Sequence, residues 1–259
     1  MHGESPRLMK VIVRTHGGLG NQLFQLLYSR LYARSRGATL HEAHDLRYKH
    51  AFARSNELAR AAPPSWPAQL ISSLRLPKIA TRLTLRREMV ALFGTTYLDG
   101  YFQRVADYAE FDDQALQHEL LRLREELGVA PSPSGETGMH LRLGDFFASE
   151  EAVLAHLDAR LKGLSAGVGI VTNEEHRLLS PAVATVLADA GAYIVPTGDM
   201  TPEQVLRTLA SFGRVEGNDS TLLFWASVFS GMECEFRSPE LRALRSRFLV
   251  ALALRKESR

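Results

Sequence analysis

Short apolar runs and longer amphipathic stretches alternate along the chain. Val11-Ile12-Val13 is a β-branched apolar run of the kind a buried strand needs. A glycine-rich turn, Thr15-His16-Gly17-Gly18-Leu19-Gly20, follows it, and then Leu23, Phe24, Leu27, Tyr28 and Leu31 recur at helical spacing. Asn21 is predicted to cap this helix and Gly37 to end it. Ala38 to Glu42 and Thr95 to Leu98 read as strands, and two short helices fill 104–128. Between them, Pro63, Pro64, Pro67 and Pro77 break any long helix.

Ala130 to Gly138 (APSPSGETG) reads as a linker. Beyond it, strands are predicted at Met139–Leu143, Val168–Thr172, Tyr193–Val195 and Arg214–Glu216. Helices fall between and after them: from a Ser149 cap through Lys162, from near Pro181 to about Gly191, from the capping box Thr201-Pro202-Glu203-Gln204, and over Ser220–Phe229. Pro239 opens a last helix bearing Arg242, Arg245 and Arg247. Alternation on both sides of one linker predicts an α/β fold of two units with parallel sheets, 10–129 and 138–238, followed by a C-terminal helix over 239–259. Ligands in such units sit at the carboxyl ends of strands.

Composition narrows the function classes. The 259 residues suit one large domain or two of roughly 100–150 residues. A net charge of +2 does not suggest a nucleic-acid binder with a broad basic face. Cys234 is the only cysteine, so an internal disulfide and a cysteine-rich zinc site are excluded, and a reducing, cytoplasmic setting is expected. Met1 to Lys10 has no apolar core of a signal peptide, and no run of about 18 apolar residues predicts a membrane span. From Leu58 to Arg87 no acid interrupts Arg60, Arg75, Lys78, Arg82, Arg86 and Arg87. That stretch fits peripheral contact with anionic lipid at the inner membrane face, a lipid-linked acceptor, or simply a solvated basic face.

Four segments carry candidate chemistry. In Gly17-Gly18-Leu19-Gly20-Asn21-Gln22 the missing side chains admit a ligand to the backbone, and free N–H groups at the helix start favour an anion. A tight turn with no ligand explains the same glycines. Leu23 stands where the third glycine of a dinucleotide fingerprint would be, and no Gly-Lys-Ser/Thr follows to make a P-loop. In His140-Leu141-Arg142-Leu143-Gly144-Asp145-Phe146, strand alternation puts His140 and Arg142 on one face. Arg142 needs an anion, which a pyrophosphate or Asp145 would supply, and His140 reads as a packed residue or a site residue. In Asn218-Asp219-Ser220-Thr221, hydroxyls at a helix start make an anion site or an ordinary N-cap. In Val171-Thr172-Asn173-Glu174-Glu175, a carboxylate at a strand end accepts from guanine N–H groups or marks a charged helix start.

Together these segments resemble one family. Gly17 to Gln25 is similar to the Gly-Gly-Leu-Gly-Asn-Gln-Met-Phe-Gln signature of alpha-1,2-fucosyltransferases, glycosyltransferase family 11. Tyr97 to Gln103 resembles that family's Gly-Tyr-Phe-Gln segment, and His140 to Phe146 its His-x-Arg-Arg-Gly-Asp-Tyr motif. Thr172 to Glu174 resembles its Ser-Asp-Asp segment, and Ser220 to Ala226 its Ser-Thr-Phe-Ser-Trp-Trp-Ala motif. The matches occur in family order. Leu143 replaces the second Arg of the family's pair, and Asn173 replaces an acid.

The resemblance implies a GT-B architecture, two Rossmann-like domains facing across a cleft, with GDP-fucose bound mainly by the second. It implies inverting transfer of fucose to a sugar hydroxyl, most simply in alpha-1,2 linkage to galactose, on a glycan or lipid-linked oligosaccharide. No cofactor and no metal are expected, and no Asp-x-Asp occurs in the chain. The implied catalytic residues are Arg142, with Asp145 or His16 as a base. The implied donor site comprises Gly18, Gly20, Asn21, His140, Arg142, Asn173, Glu174, Ser220 and Thr221. Two alternatives share the fold: a transferase of another GDP-sugar, and a non-catalytic nucleotide-binding protein.

Overall fold

A computed structural model describes residues 9–44, 89–92, 95–131, 134–143, 147, 149–164 and 167–253. Asp145 and the basic stretch 58–87 lie outside the described residues. The chain divides into two compact units, 1–126 with 246–259, and 127–245. The expected α/β class, built on parallel sheets, is what the chain adopts. No helix among the described residues is long and apolar enough to cross a membrane.

The first unit has four strands, β1 (Lys10–Thr15), β2 (Thr39–His44), β3 (Met89–Leu92) and β4 (Thr95–Leu98), in the order β2-β1-β4-β3. β1 pairs in parallel with β2 and β4, and β3 closes the edge antiparallel to β4. Val11, Ile12 and Val13 are all buried, as befits a central strand covered on both faces. Helix α1 (Leu19–Ser35) packs on β1 and is buried on nearly every side. It ends as a Schellman motif at Gly37 (φ +57°), with Ala38 N–H bonded to the Ala33 carbonyl at 2.9 Å. After a 3-10 turn (Val105–Tyr108), helix α2 (Asp113–Leu127) completes the consecutive part of this unit. Tyr28 stacks on Phe102 at 4.1 Å and meets Tyr108 and Phe111 edge-on.

The second unit carries β5 (Thr137–Leu141), β6 (Gly169–Thr172), β7 (Tyr193–Ile194), β8 (Arg214–Gly217) and β9 (Glu233–Cys234), all parallel, in the order β7-β6-β5-β8-β9. Helices α3 (Glu150–Leu161) and α4 (Pro181–Asp189) cover β5 and β6 through a core that includes Met139, Leu141, Val153, Leu157, Ile170 and Val183. Ser149 caps α3, and Ser180 caps α4 ahead of Pro181. Helix α5 (Pro202–Ser211) starts with the expected capping box, and α6 (Thr221–Ser230) packs against it with Trp225 fully buried. Helix α7 (Pro239–Ala253) begins in this unit, while its residues from Ser246 onward belong to the first, where Phe248 meets Tyr108 edge-on.

The structure departs from the sequence reading at particular places. Gly18, not Asn21, is the N-cap of α1, and Asn21 lies inside the first turn. The β5 strand ends at Leu141, two residues early, and its start absorbs Thr137 and Gly138 from the expected linker. The short strands β3 and β9 were not expected from periodicity.

Candidate functional site

In the second unit the chain adds β6 and β7 on one side of β5, then crosses back to lay β8 on the other side. In open parallel sheets ligands sit outside the carboxyl ends of the strands at such a reversal, and here the reversal falls between β5 and β8. His140 sits one residue from the end of β5, in register with Gly217 at the end of β8. His140 is only 7% exposed and Asn218, just past β8, only 9%. Neither His140 Nδ1 nor Asn218 Nδ2 has a hydrogen-bond partner among the described residues. Leaving such a buried group unsatisfied costs about 1–3 kcal/mol, so paired groups are the rule. Burial, and then the nearby positive charge of Arg142, push the His140 pKa down to about 4, so the ring is neutral at neutral pH.

Arg142 follows β5 directly and is exposed, so the premise of a buried guanidinium in need of a partner does not hold. Its neighbour Leu143 is fully buried in the core of the unit. On the β8 side, Ser220 caps α6 by accepting the Leu222 N–H at 3.3 Å, and Thr221 is the first helical residue. The Asp219 carboxylate accepts the N–H groups of Arg237 and Ser238 at 2.7 Å each, which ties this turn to the start of α7. Asp219 thus has a structural task, and Asn218 is left as the polar group of the turn.

At the end of β6, Asn173 is exposed and Glu174 pairs with Arg177 at 3.1 Å. Arg177 also donates to the Phe147 carbonyl at 2.7 Å, so it holds Glu174 in place. Glu175 accepts the Thr197 hydroxyl at 2.7 Å, and these contacts hold its carboxyl below the usual carboxylate range. Because β6, β5 and β8 are neighbours, Asn173 and Glu174, His140 and Arg142, and Asn218 to Thr221 lie along one sheet edge.

The first unit has a reversal of its own, between β1 and β4. Arg14 and Asp99, both buried, form an ion pair across it at 3.1 Å. His16, also buried, lies beside the pair, with Nδ1 3.9 Å from Asp99 Oδ1. Gln22 donates to the Gly17 carbonyl at 2.9 Å, and Gln103 donates to Asn21 Oδ1 at 3.0 Å. Gly17 has φ +80°, a conformation that costs other residues strain. Gly18 is extended and exposed, and a Cβ there would meet nothing within 4 Å among the described residues. Gly20 is buried in the first turn of α1. Phe102 also adopts positive φ (+49°), which is uncommon for a bulky side chain. Next to it Tyr101 stays 40% exposed, its ring 4.9 Å from that of His16.

Sequence reading thus finds His16, Gly18, Gly20 and Asn21 at the edge of one sheet, and His140, Arg142, Asn173, Glu174, Ser220 and Thr221 at the edge of the other. It gives no role to Arg14, Asp99, Gln25 or Asn218. The available signal was polar: Gln22 and Gln25 interrupt an otherwise apolar helical pattern at a spacing of three.

No protein-family model matches the chain, and no curated protein matches it. Among solved structures, the fucosyltransferase NodZ from Bradyrhizobium is 17% identical with a TM-score of 0.49, over 86% of this chain and 93% of that one. POFUT1 in complex with GDP is 8% identical with a TM-score of 0.49, over 90% of this chain and 99% of that one. A variant of FUT1 from Arabidopsis thaliana in complex with GDP is 10% identical with a TM-score of 0.47, over 90% of this chain and 71% of that one.

Proposed function

We propose that the chain is an inverting glycosyltransferase of GT-B architecture that moves fucose from GDP-fucose to a sugar hydroxyl. The observation that carries this reading is the pair of buried nitrogens, His140 Nδ1 and Asn218 Nδ2, without partners among the described residues at the reversal between β5 and β8. They flank the N-terminus of α6, where helix N–H groups favour an anion. The five family-like segments of the sequence supply the identity of the anion, the diphosphate of GDP.

In this reading Arg142 stabilises the charge that grows on the β-phosphate as the bond to fucose breaks. Its exposure leaves the side chain within reach of a ligand. Preorganised donors of this type contribute about 3–4 kcal/mol each to the transition state. Ser220 and Thr221 hold phosphate oxygens, and neutral His140 and Asn218 form the floor beneath them. Asn173 and Glu174 read the guanine edge, the carboxylate accepting from N1–H and N2–H2. Gly18, Gly20 and Asn21 contribute to the GDP-sugar site, His16 serves on the acceptor side of the first unit, and alpha-1,2 linkage to galactose is the finer proposal. The transition state is oxocarbenium-like and no divalent metal is required, so transfer should survive EDTA.

Thermal shift with GDP, UDP, CDP and NAD tests the donor. A ligand at about 100 times its Kd adds about 2.7 kcal/mol of stability. A shift with GDP alone supports the reading, and equal shifts with all four, or none, remove it. The burial of Leu143 favours a second reading. At the position of the family's second Arg this chain places a core residue, which suits a GDP-binding protein that does not transfer sugar. Tight GDP binding with no donor hydrolysis and no product on any galactoside acceptor would select that reading.

A further inference from the structure

We propose that Gln25 is a positioning residue that fixes the tautomer of His16, keeping the ring proton on Nε2 and withholding His16 from general-base duty. The functional side of this inference rests on the acceptor-side reading of the first unit, but the tautomer itself does not.

The hydrogen bonds leave little choice. The backbone N–H of His16 donates to Gln25 Oε1 at 2.9 Å. Only the oxygen end of an amide can accept an N–H, so the orientation of the Gln25 amide is set by the backbone. The other end, Nε2, then points at His16 Nδ1 at 3.0 Å. An amide NH2 is a donor only, so Nδ1 must be the acceptor and bear no proton. In the neutral ring the proton is therefore on Nε2.

Two neighbours favour the opposite tautomer. The Arg14 carbonyl lies 3.3 Å from Nδ1 and Asp99 Oδ1 lies 3.9 Å away. Both are farther than the Gln25 nitrogen, and the Asp99 carboxylate already receives Arg14 Nη1 through Oδ2 at 3.1 Å. A proton on Nδ1 would set two donors face to face at the Gln25 contact. Rotating the amide would only move the conflict to the His16 backbone N–H. Buried Gln25 has no solvent to turn toward.

The consequence concerns proton transfer. A neutral imidazole has one lone pair, and here it faces into the unit, toward Gln25. The N–H then lies on the ring's other side, at Nε2, which is buried; a donor there can orient an oxygen that reaches it but cannot take a proton from one. His16 then acts toward a sugar hydroxyl as a donor, and deprotonation of the acceptor falls to another group or to the departing phosphate.

The test is the two-bond 1H–15N correlation pattern of the His16 ring in the full chain, labelled with 15N-histidine. Wild type should show the Nε2–H tautomer, and a wild-type Nδ1–H pattern overturns the proposal. In Gln25→Glu one carboxylate oxygen keeps the His16 N–H and the other accepts from Nδ1–H, so the pattern should switch. Gln25→Met, which removes the donor while keeping the length, should also release Nδ1 for protonation. An Nε2–H pattern retained in both variants shows that Gln25 does not set the tautomer. Absence of fucosyl transfer by wild type would sink the functional reading while leaving these spectra unchanged, so the two failures are distinct.

Discussion

Gly217 lies opposite His140 in the β5–β8 ladder, so close that a methyl group on its α-carbon would sit 2.9 Å from the His140 carbonyl oxygen and 3.2 Å from its Cβ. One of those neighbours is backbone and cannot swing away. Gly217→Ala should therefore force β8 from β5 at the edge where the buried nitrogens of His140 and Asn218 lie. Overpacking of this kind costs about 1–3 kcal/mol. Urea unfolding should show a loss in that range, and GDP should shift the melting temperature of the variant less than that of wild type. An unchanged urea midpoint would mean the ladder accommodates the methyl.

His140 should make stability depend on pH. In the folded chain its pKa is about 4, against 6.5 for an unperturbed imidazole. Between those values the unfolded chain binds a proton that the folded chain refuses, so stability is full above about pH 6.5 and declines as the pH falls toward 4. A gap of that size is worth up to about 3 kcal/mol at the acid end. His140→Gln should flatten this part of the profile. Arg142→Ala removes the second cause of the depression, so it should raise the His140 pKa and narrow the window. Parallel acid loss in wild type and His140→Gln, followed by urea midpoints across the range, would place the source elsewhere.

The extent to which this molecule can be read from its sequence follows the reach of each signal. Leu23, Phe24, Leu27, Tyr28 and Leu31 reveal α1 because helical periodicity is local. Gly37 and the Thr201–Gln204 box mark helix ends for the same reason. The Arg14–Asp99 pair joins residues 85 positions apart, and nothing near either one announces the other. Two-residue β9 is too short to show alternation. Asn21 is a good capping residue by type, but Gly18 takes the cap and leaves the Asn21 amide to Gln103. The alternation of His140 to Leu143 persists past the strand that would justify it, so the sequence overstates the burial of Arg142.

The exposure of Arg142 separates function from folding. A substitution at an exposed position usually changes stability by less than about 0.5 kcal/mol. Arg142→Ala should fold and melt near wild type at neutral pH, yet lose about 100- to 1000-fold in turnover if the guanidinium stabilises the leaving diphosphate. Arg142→Lys should recover only part of the loss, because an ammonium lacks the bidentate fork. Initial rates of GDP release at saturating donor decide the matter. Near-normal turnover by Arg142→Ala would end the proposed role.

Gly17 and Gly18 adjoin in sequence, but alanine should affect them in opposite ways. Gly17 has φ +80°, and a Cβ there would lie 2.7 Å from Asn21 Nδ2. Gly17→Ala should destabilise the first unit by about 1–3 kcal/mol through backbone strain and push Asn21 off Gln103. Gly18 has φ −70° and ψ 168°, which any residue adopts, and its Cβ would meet no atom of the described residues within 4 Å. Gly18→Ala should leave the fold unchanged or stabilise it by up to about 1 kcal/mol, since alanine has less backbone freedom to lose. If the open space before Gly18 admits a ligand, the same methyl should weaken binding or raise KM. Urea unfolding beside steady-state kinetics separates the two effects. Equal stability losses in both variants would contradict the backbone argument, and a Gly18→Ala enzyme with wild-type KM and kcat would remove the turn from the binding site.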